Sequence, residues 1–151
     1  MIDTYGSDSV QNYQRMLSIL KTTLAQAYPE LERHTKLVGT FKTTFDLACD
    51  VLKEFLESQG RSVSSRRSIF NVAFHSHLIY SFSQWMQAQA DLNWMAIADT
   101  RKTRIETERL IRYTYYPMLN SLVATLEEQL SYSGISSSSA QFRTDTYSLS
   151  C

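Results

Sequence analysis

The chain has 151 residues, 43% of them hydrophobic and 12% aromatic, and its 15 basic and 15 acidic side chains cancel to a formal charge of zero. That length suits one domain with a real hydrophobic core and excludes two of ordinary size. Zero net charge excludes a global field drawing the protein to nucleic acid or an anionic membrane, so any such contact rests on a local patch.

Ser7, Asp8 and Ser9 are helix-starting residues, and Tyr13, Met16, Leu17, Leu20, Leu24 and Ala27 follow at helical spacing. Pro29 disfavours helical geometry at Tyr28, so the first helix is expected to end there. Proline is also welcome in a first turn, and Glu30 and Glu32 suit the positive end of a helix dipole, so a second helix starts as early as Pro29. Its stripe of Leu37, Val38, Phe41, Phe45, Ala48, Leu52, Phe55 and Leu56 makes it the central helix, and Gly60 is its natural exit.

Ser64 or Ser65 is the next N-cap, and Ile69, Phe70, Ala73 and Phe74 mark a short third helix ending near His77. Ser81 and Gln84 form a capping-box pair opening a fourth helix, which reaches about Asn93. The pattern breaks from Trp94 to Thr100. Asp99 or Thr100 then caps a last helix carrying Ile105, Ile111, Tyr115, Leu119, Leu122, Leu126 and Leu130 on one side, with Pro117 inside it to bend it or break a backbone bond. The serine-rich segment 131–151 is expected to be a disordered tail to a helical domain spanning 1–130. No strand pattern competes, and short connections between amphipathic helices favour an all-α, up-and-down antiparallel bundle of four or five helices.

No apolar run approaches the roughly 18 residues needed to cross a bilayer. Met1 to Val10 lacks the order of a signal peptide, and Cys49 and Cys151 make an improbable disulfide pair, so a soluble cytoplasmic protein without membrane attachment is expected. Catalytic motifs are absent: there is no glycine-rich phosphate loop, and His75 and His77 stand two residues apart, on opposite sides of a helix. No metal, no cofactor and no enzymatic activity are expected. Asp46 and Asp50 read as a solvated helix face, and Cys49 as a small buried hydrophobe.

Arg66 and Arg67, with Arg61, cluster at the start of the third helix, and Arg101, with Lys102 and Arg104, at the start of the last. Facing one cleft, the two groups would hold nucleotide or RNA phosphate. Trp85, Trp94, Tyr113, Tyr115 and Tyr116 are more aromatic surface than a small bundle usually absorbs, and Trp85, Trp94, Tyr115 and Tyr116 are candidates for a subunit interface.

The run from Phe41 through Phe45, Asp46 and Leu52 to Gly60 resembles the hallmark helix of the nucleotidyltransferase substrate-binding proteins, within the HEPN superfamily of helical bundles. Ser65-Arg66-Arg67 stands where that family has Ser-Pro-Arg. Ala73-Phe74, Leu78-Ile79, Trp85 and Tyr116-Pro117-Met118-Leu119 continue the resemblance over about Leu37 to Leu130. It implies a homodimeric bundle that partners a small nucleotidyltransferase, as in toxin–antitoxin-like pairs.

The superfamily's ribonuclease motif pairs an arginine and asparagine with a later histidine. Here those positions are Leu92, Asn93 and Ile97, followed by Ala98 and Asp99, so only Asn93 survives. Cys49 and Asp50 also replace the family's tryptophan and lysine. The resemblance therefore implies a non-catalytic partner subunit, with Arg66, Arg67, Asn93 and Arg101 near any nucleotide. The alternatives are a divergent ribonuclease using His75 or His77, and an autonomous helical scaffold.

Overall fold

The computed structural model describes the backbone of residues 2–138 and the side chains of 8–129. The helices are α1 (Ile2–Ala25), α2 (Glu30–Ser58), α3 (Arg66–His75), α4 (Phe82–Ala96), α5 (Arg101–Leu110) and α6 (Tyr116–Ser138), with a π-helical turn, Ile111–Tyr115, joining the last two. No strand occurs among the described residues, and the chain is an all-α bundle.

Helix α2 touches α1, α3, α4 and α5, which is why its buried set is wider than one stripe. Thr44, Cys49 and Val51 are buried beside the expected Leu37, Phe41, Phe45, Ala48, Leu52, Phe55 and Leu56, whereas Val38 is only partly covered. The Thr44 hydroxyl is satisfied locally by donating to the Thr40 carbonyl at 2.7 Å. Side-chain pairs give the directions of the rods. His34 and Phe45 of α2 meet Met95 and Trp85 of α4, so those two run antiparallel. Glu30 and Phe41 meet Arg104 and Tyr115, so the α5–α6 rod runs parallel to α2. Leu24 and Gln14 of α1 meet Arg112 and Glu127, which makes α1 antiparallel to that rod. Four long rods thus alternate up and down, and the short α3 packs against α2 and α4.

The helix boundaries follow local chemistry, with several departures from expectation. Helix α1 begins at Ile2, ahead of Ser7 to Ser9. The Ser9 hydroxyl donates to Glu54 of α2 instead of capping. At the other end α1 stops at Ala25 and leaves Ala27 exposed, while Arg112 and Arg33 donate to the carbonyls of Leu24 and Gln26, where cations suit the negative end of a helix.

The capping box expected at Ser81 is one-way: Ser81 Oγ accepts from the Gln84 N–H, and no return bond from the Gln84 side chain is present. Reciprocal boxes stand instead at Ser65/Ser68 and Thr100/Thr103. There the returning group is a hydroxyl, a pairing the Ser/Thr-to-Glu/Gln pattern does not contain. Gly60 takes the expected left-handed conformation (φ 83°), and the Arg61 N–H closes onto the Leu56 carbonyl. His77 (φ 63°) fills the same role after α3, with Leu78 N–H on the Ala73 carbonyl.

Helix α4 continues past Asn93 to Ala96, taking Trp94 and Met95 into the helix. Ile105, placed on the core stripe by its spacing, is 53% exposed. The stripe begins instead at Thr107 and continues through Ile111, Tyr115 and Leu119, all buried. Steps of four residues overshoot a 3.6-residue turn by about 40° each and would carry these side chains off the face. The π turn, in which Tyr116 N–H reaches back to the Ile111 carbonyl, is wider and absorbs part of that drift. It also leaves Pro117 in the first turn of α6, where a missing N–H is tolerated. The backbone of α6 runs beyond Leu130 to Ser138, and the rest of the expected tail lies outside the described residues.

Two buried phenols make the bundle sensitive to alkali. Burial raises Tyr13 well above its ordinary value, and Tyr115 is raised by burial and by its hydrogen bond to Asp91. Unfolded tyrosines titrate near 10, so above about pH 10 the unfolded chain sheds protons that the folded chain keeps. Their contribution to stability is full below that pH and declines as pH rises. The thermal midpoint is expected to fall above about pH 10, less steeply in Tyr115→Phe, as thermal melts across alkaline buffers would show.

Candidate functional site

The chemistry-bearing residues gather at the two ends of α4. At its N-terminal end Asp46 of α2 accepts from Lys42 Nζ at 2.9 Å and from Arg66 Nη2 at 2.9 Å. Arg66 Nη1 also donates to Gln89 of α4 at 2.8 Å, and its guanidinium lies 5.7 Å from the centre of the Phe45 ring. Burial pushes the Asp46 carboxyl up, but the hydrogen bonds from Lys42 and Arg66 outweigh it and hold the group below the ordinary carboxylate range. Asp46 is therefore one member of an ion-pair clamp and not a purely solvated charge. Arg66 joins α2, α3 and α4, with one donor on Asp46 and one on Gln89.

Arg67, next in sequence, is exposed and sits 5.3 Å from the Phe82 ring centre. With Ser65, Ser68, Asn71 and Phe82 it lines a shallow groove of about 360 Å³.

At the C-terminal end of α4, Trp94, Arg101, Lys102, Thr103, Ile105 and Glu106 line a larger groove of about 590 Å³. Trp94 is half-buried, and its indole N–H donates to Asp91 at 2.9 Å, which fixes the ring. Asp91 is buried and accepts also from Gln87 and from the Tyr115 hydroxyl. Beside this groove Glu30 receives Arg104 at 2.9 Å and the exposed Arg101 at 3.7 Å, and Arg33 pairs with Glu108 at 3.2 Å. Asn93 is exposed on α4, next to Trp94.

The two arginine groups do not share a cleft. Phe82 in one groove and Trp94 in the other are twelve residues apart on α4, roughly 18 Å at 1.5 Å per residue. Of the four candidate phosphate-binding residues, Arg67 belongs to the first groove and Arg101 to the second, Asn93 lines neither, and Arg66 is held in the clamp by Asp46 and Gln89.

The aromatic candidates divide as well. Trp85 and Tyr115 are each 2% exposed and belong to the core, which removes them from any subunit surface. Trp85 packs on Phe45 and Phe70, with ring centres 5.6 and 5.5 Å away, and Tyr115 stacks on Phe41 at 5.4 Å. Trp94 and Tyr116 remain partly open to solvent, and Tyr113 is largely exposed.

At the positions the sequence aligns with the ribonuclease motif, Leu92 is buried in the core while Asn93, Ile97 and Asp99 are exposed and Ala98 is half-buried. His75 and His77 are exposed, and His34 is held by the Met95 carbonyl at 3.1 Å. Burial pushes the Cys49 thiol up to about 12, which keeps it protonated and unreactive at neutral pH. Cys151 lies outside the described residues. Among those residues no group of three or more His, Cys, Asp or Glu is placed to hold a metal, and no helix is long and apolar enough to cross a membrane.

Fold and surface together define a small helical bundle with its polar chemistry in grooves at the ends of one helix. Residues 8–128 match the family described as nucleotidyltransferase substrate binding protein like, and the chain belongs to that family. No curated protein matches the chain significantly.

Proposed function

We propose that this chain is the non-catalytic, binding subunit of a two-component system whose other member is a small nucleotidyltransferase, in a toxin–antitoxin-like pairing. In this reading it works in the cytoplasm as a homodimer and contributes recognition of protein and nucleotide. The partner subunit carries the transfer chemistry. Family membership supports the association with a nucleotidyltransferase.

The observation that carries the non-catalytic part is the state of the motif positions at and just past the C-terminal end of α4. Phosphodiester cleavage needs a proton-transfer group and a cation at the reacting phosphate. The arginine position is Leu92, which is buried, and the histidine position is Ile97, an exposed hydrocarbon. Neither side chain can supply those functions.

Incubating the purified chain with structured and single-stranded RNA tests this directly. The expected result is no cleavage above a buffer control. Cleavage that disappears in His75→Ala or His77→Ala would establish the divergent ribonuclease instead.

A further inference from the structure

We propose that the groove between the C-terminal end of α4 and the start of α5 binds a free nucleoside di- or triphosphate, its base laid against Trp94 and its phosphates toward Arg101 and Lys102. This rests on the nucleotide-recognition part of the function proposed above and gives it a location and a ligand class.

Three features of the groove support it. Its volume, about 590 Å³, is that of a small-molecule site, and its walls are largely hydrocarbon and indole with a few polar groups at the rim. Trp94 is a preset platform because its N–H is fixed on the buried Asp91 carboxylate, which the Tyr115 hydroxyl holds from the π turn. A flat base stacks on such a ring without paying to order it first. Ile105, left exposed ahead of the buried stripe that begins at Thr107, adds an aliphatic surface to the groove.

The rim charge selects an anion. Lys102 makes no ion pair among the described residues, and Arg101 reaches only Glu30, at 3.7 Å. Glu106, the acidic residue of the rim, is taken up by Arg109, which donates from Nε at 3.1 Å and from Nη2 at 2.5 Å. The ligand is a free nucleotide and not an RNA strand: the groove has one aromatic platform, and a chain of zero net charge gives a polyanion no extended track.

The test is a titration of the full chain with ATP, followed by calorimetry and by tryptophan fluorescence. Trp85 is buried, so quenching on stacking reports Trp94. Saturable binding of one ATP per chain is expected, with adenosine binding more weakly. Trp94→Ala and, separately, Lys102→Glu are each expected to weaken ATP by about tenfold or more. Lys102→Glu alters an exposed side chain and leaves the fold intact, so it reads binding even if Trp94→Ala loosens α4.

Absence of saturable binding, unchanged affinity in both variants, loss of binding on Arg67→Ala instead, or displacement of ATP by single-stranded RNA at far lower concentration would each overturn the proposal. The Lys102→Glu chain is also assayed for co-purification of a nucleotidyltransferase. Retained association without ATP binding by the unaltered chain defeats the groove assignment alone, whereas ATP binding without any associated nucleotidyltransferase defeats the subunit reading alone.

Discussion

Replacing Phe45 by alanine is expected to destabilise the bundle by about 3–5 kcal/mol, the range for deleting a fully buried aromatic ring. Phe45 has no exposed surface and sits between Phe41, Phe70 and Trp85, with ring centres 6.1, 6.0 and 5.6 Å away, while Arg66 covers its outer side. Three helices meet on this ring. A cavity there cannot be filled by one side chain moving, because the neighbours are themselves large, rigid and packed on one another. Total stability of a domain this size is about 5–15 kcal/mol, so the variant is left with little reserve. Urea unfolding measures the difference. The exposed Ile105→Ala serves as comparison, with an expected change within about 0.5 kcal/mol. A cost below about 1 kcal/mol at Phe45 would show that α2, α3 and α4 do not converge as described.

Removing the carboxylate of Asp91 is the second large effect. Asp91→Ala is expected to cost about 2–3 kcal/mol, because the group is buried, meets no cation among the described residues, and accepts from Gln87, Trp94 and Tyr115. The three donors fare differently once it is gone. Gln87 is exposed and Trp94 half-exposed, so water can take over. The Tyr115 hydroxyl is enclosed and left without its partner. Asp91→Asn keeps one acceptor oxygen and is expected to cost roughly half as much. A double-mutant cycle with Tyr115→Phe isolates the α4-to-π-turn bond. Additive losses in that cycle would mean the bond contributes nothing of its own.

Much of the fold was legible in the sequence, and the reasons are local. Phe41, Phe45, Ala48 and Leu52 keep one face because a helix repeats every 3.6 residues, and Pro29 and Gly60 mark the ends of α2 through their own backbone preferences. The π turn was not legible: Pro117 signals a disturbance, but its form depends on which face must stay buried between Thr107 and Leu119, a tertiary demand. The same holds for Ile105, whose spacing fits the stripe and whose position relative to the π turn does not.

The candidate site was read less well, because charge and aromatic content do not reveal direction. Arg66 and Arg67 are adjacent in sequence, yet the first turns in to Asp46, twenty residues earlier, and the second stays in water. Trp85 and Trp94 look equivalent on paper. Trp85 fills the space between Phe45 and Phe70, whereas Trp94, a little over two turns further along α4, stands at a groove. Asp91 was missed altogether. The signal that could have found it is its spacing from Gln87 and Trp94, four and three residues away, which sets two donors on the same helix face.

The proposed function requires that this bundle be one half of a two-protein system. The most direct measurement is capture of the tagged full-length chain from its native lysate in gentle, low-salt buffer, with mass spectrometry of whatever co-elutes in stoichiometric amount. A small nucleotidyltransferase is expected at a fixed ratio to this chain. Recovery of the chain by itself under those conditions would contradict it and leave a self-associating scaffold.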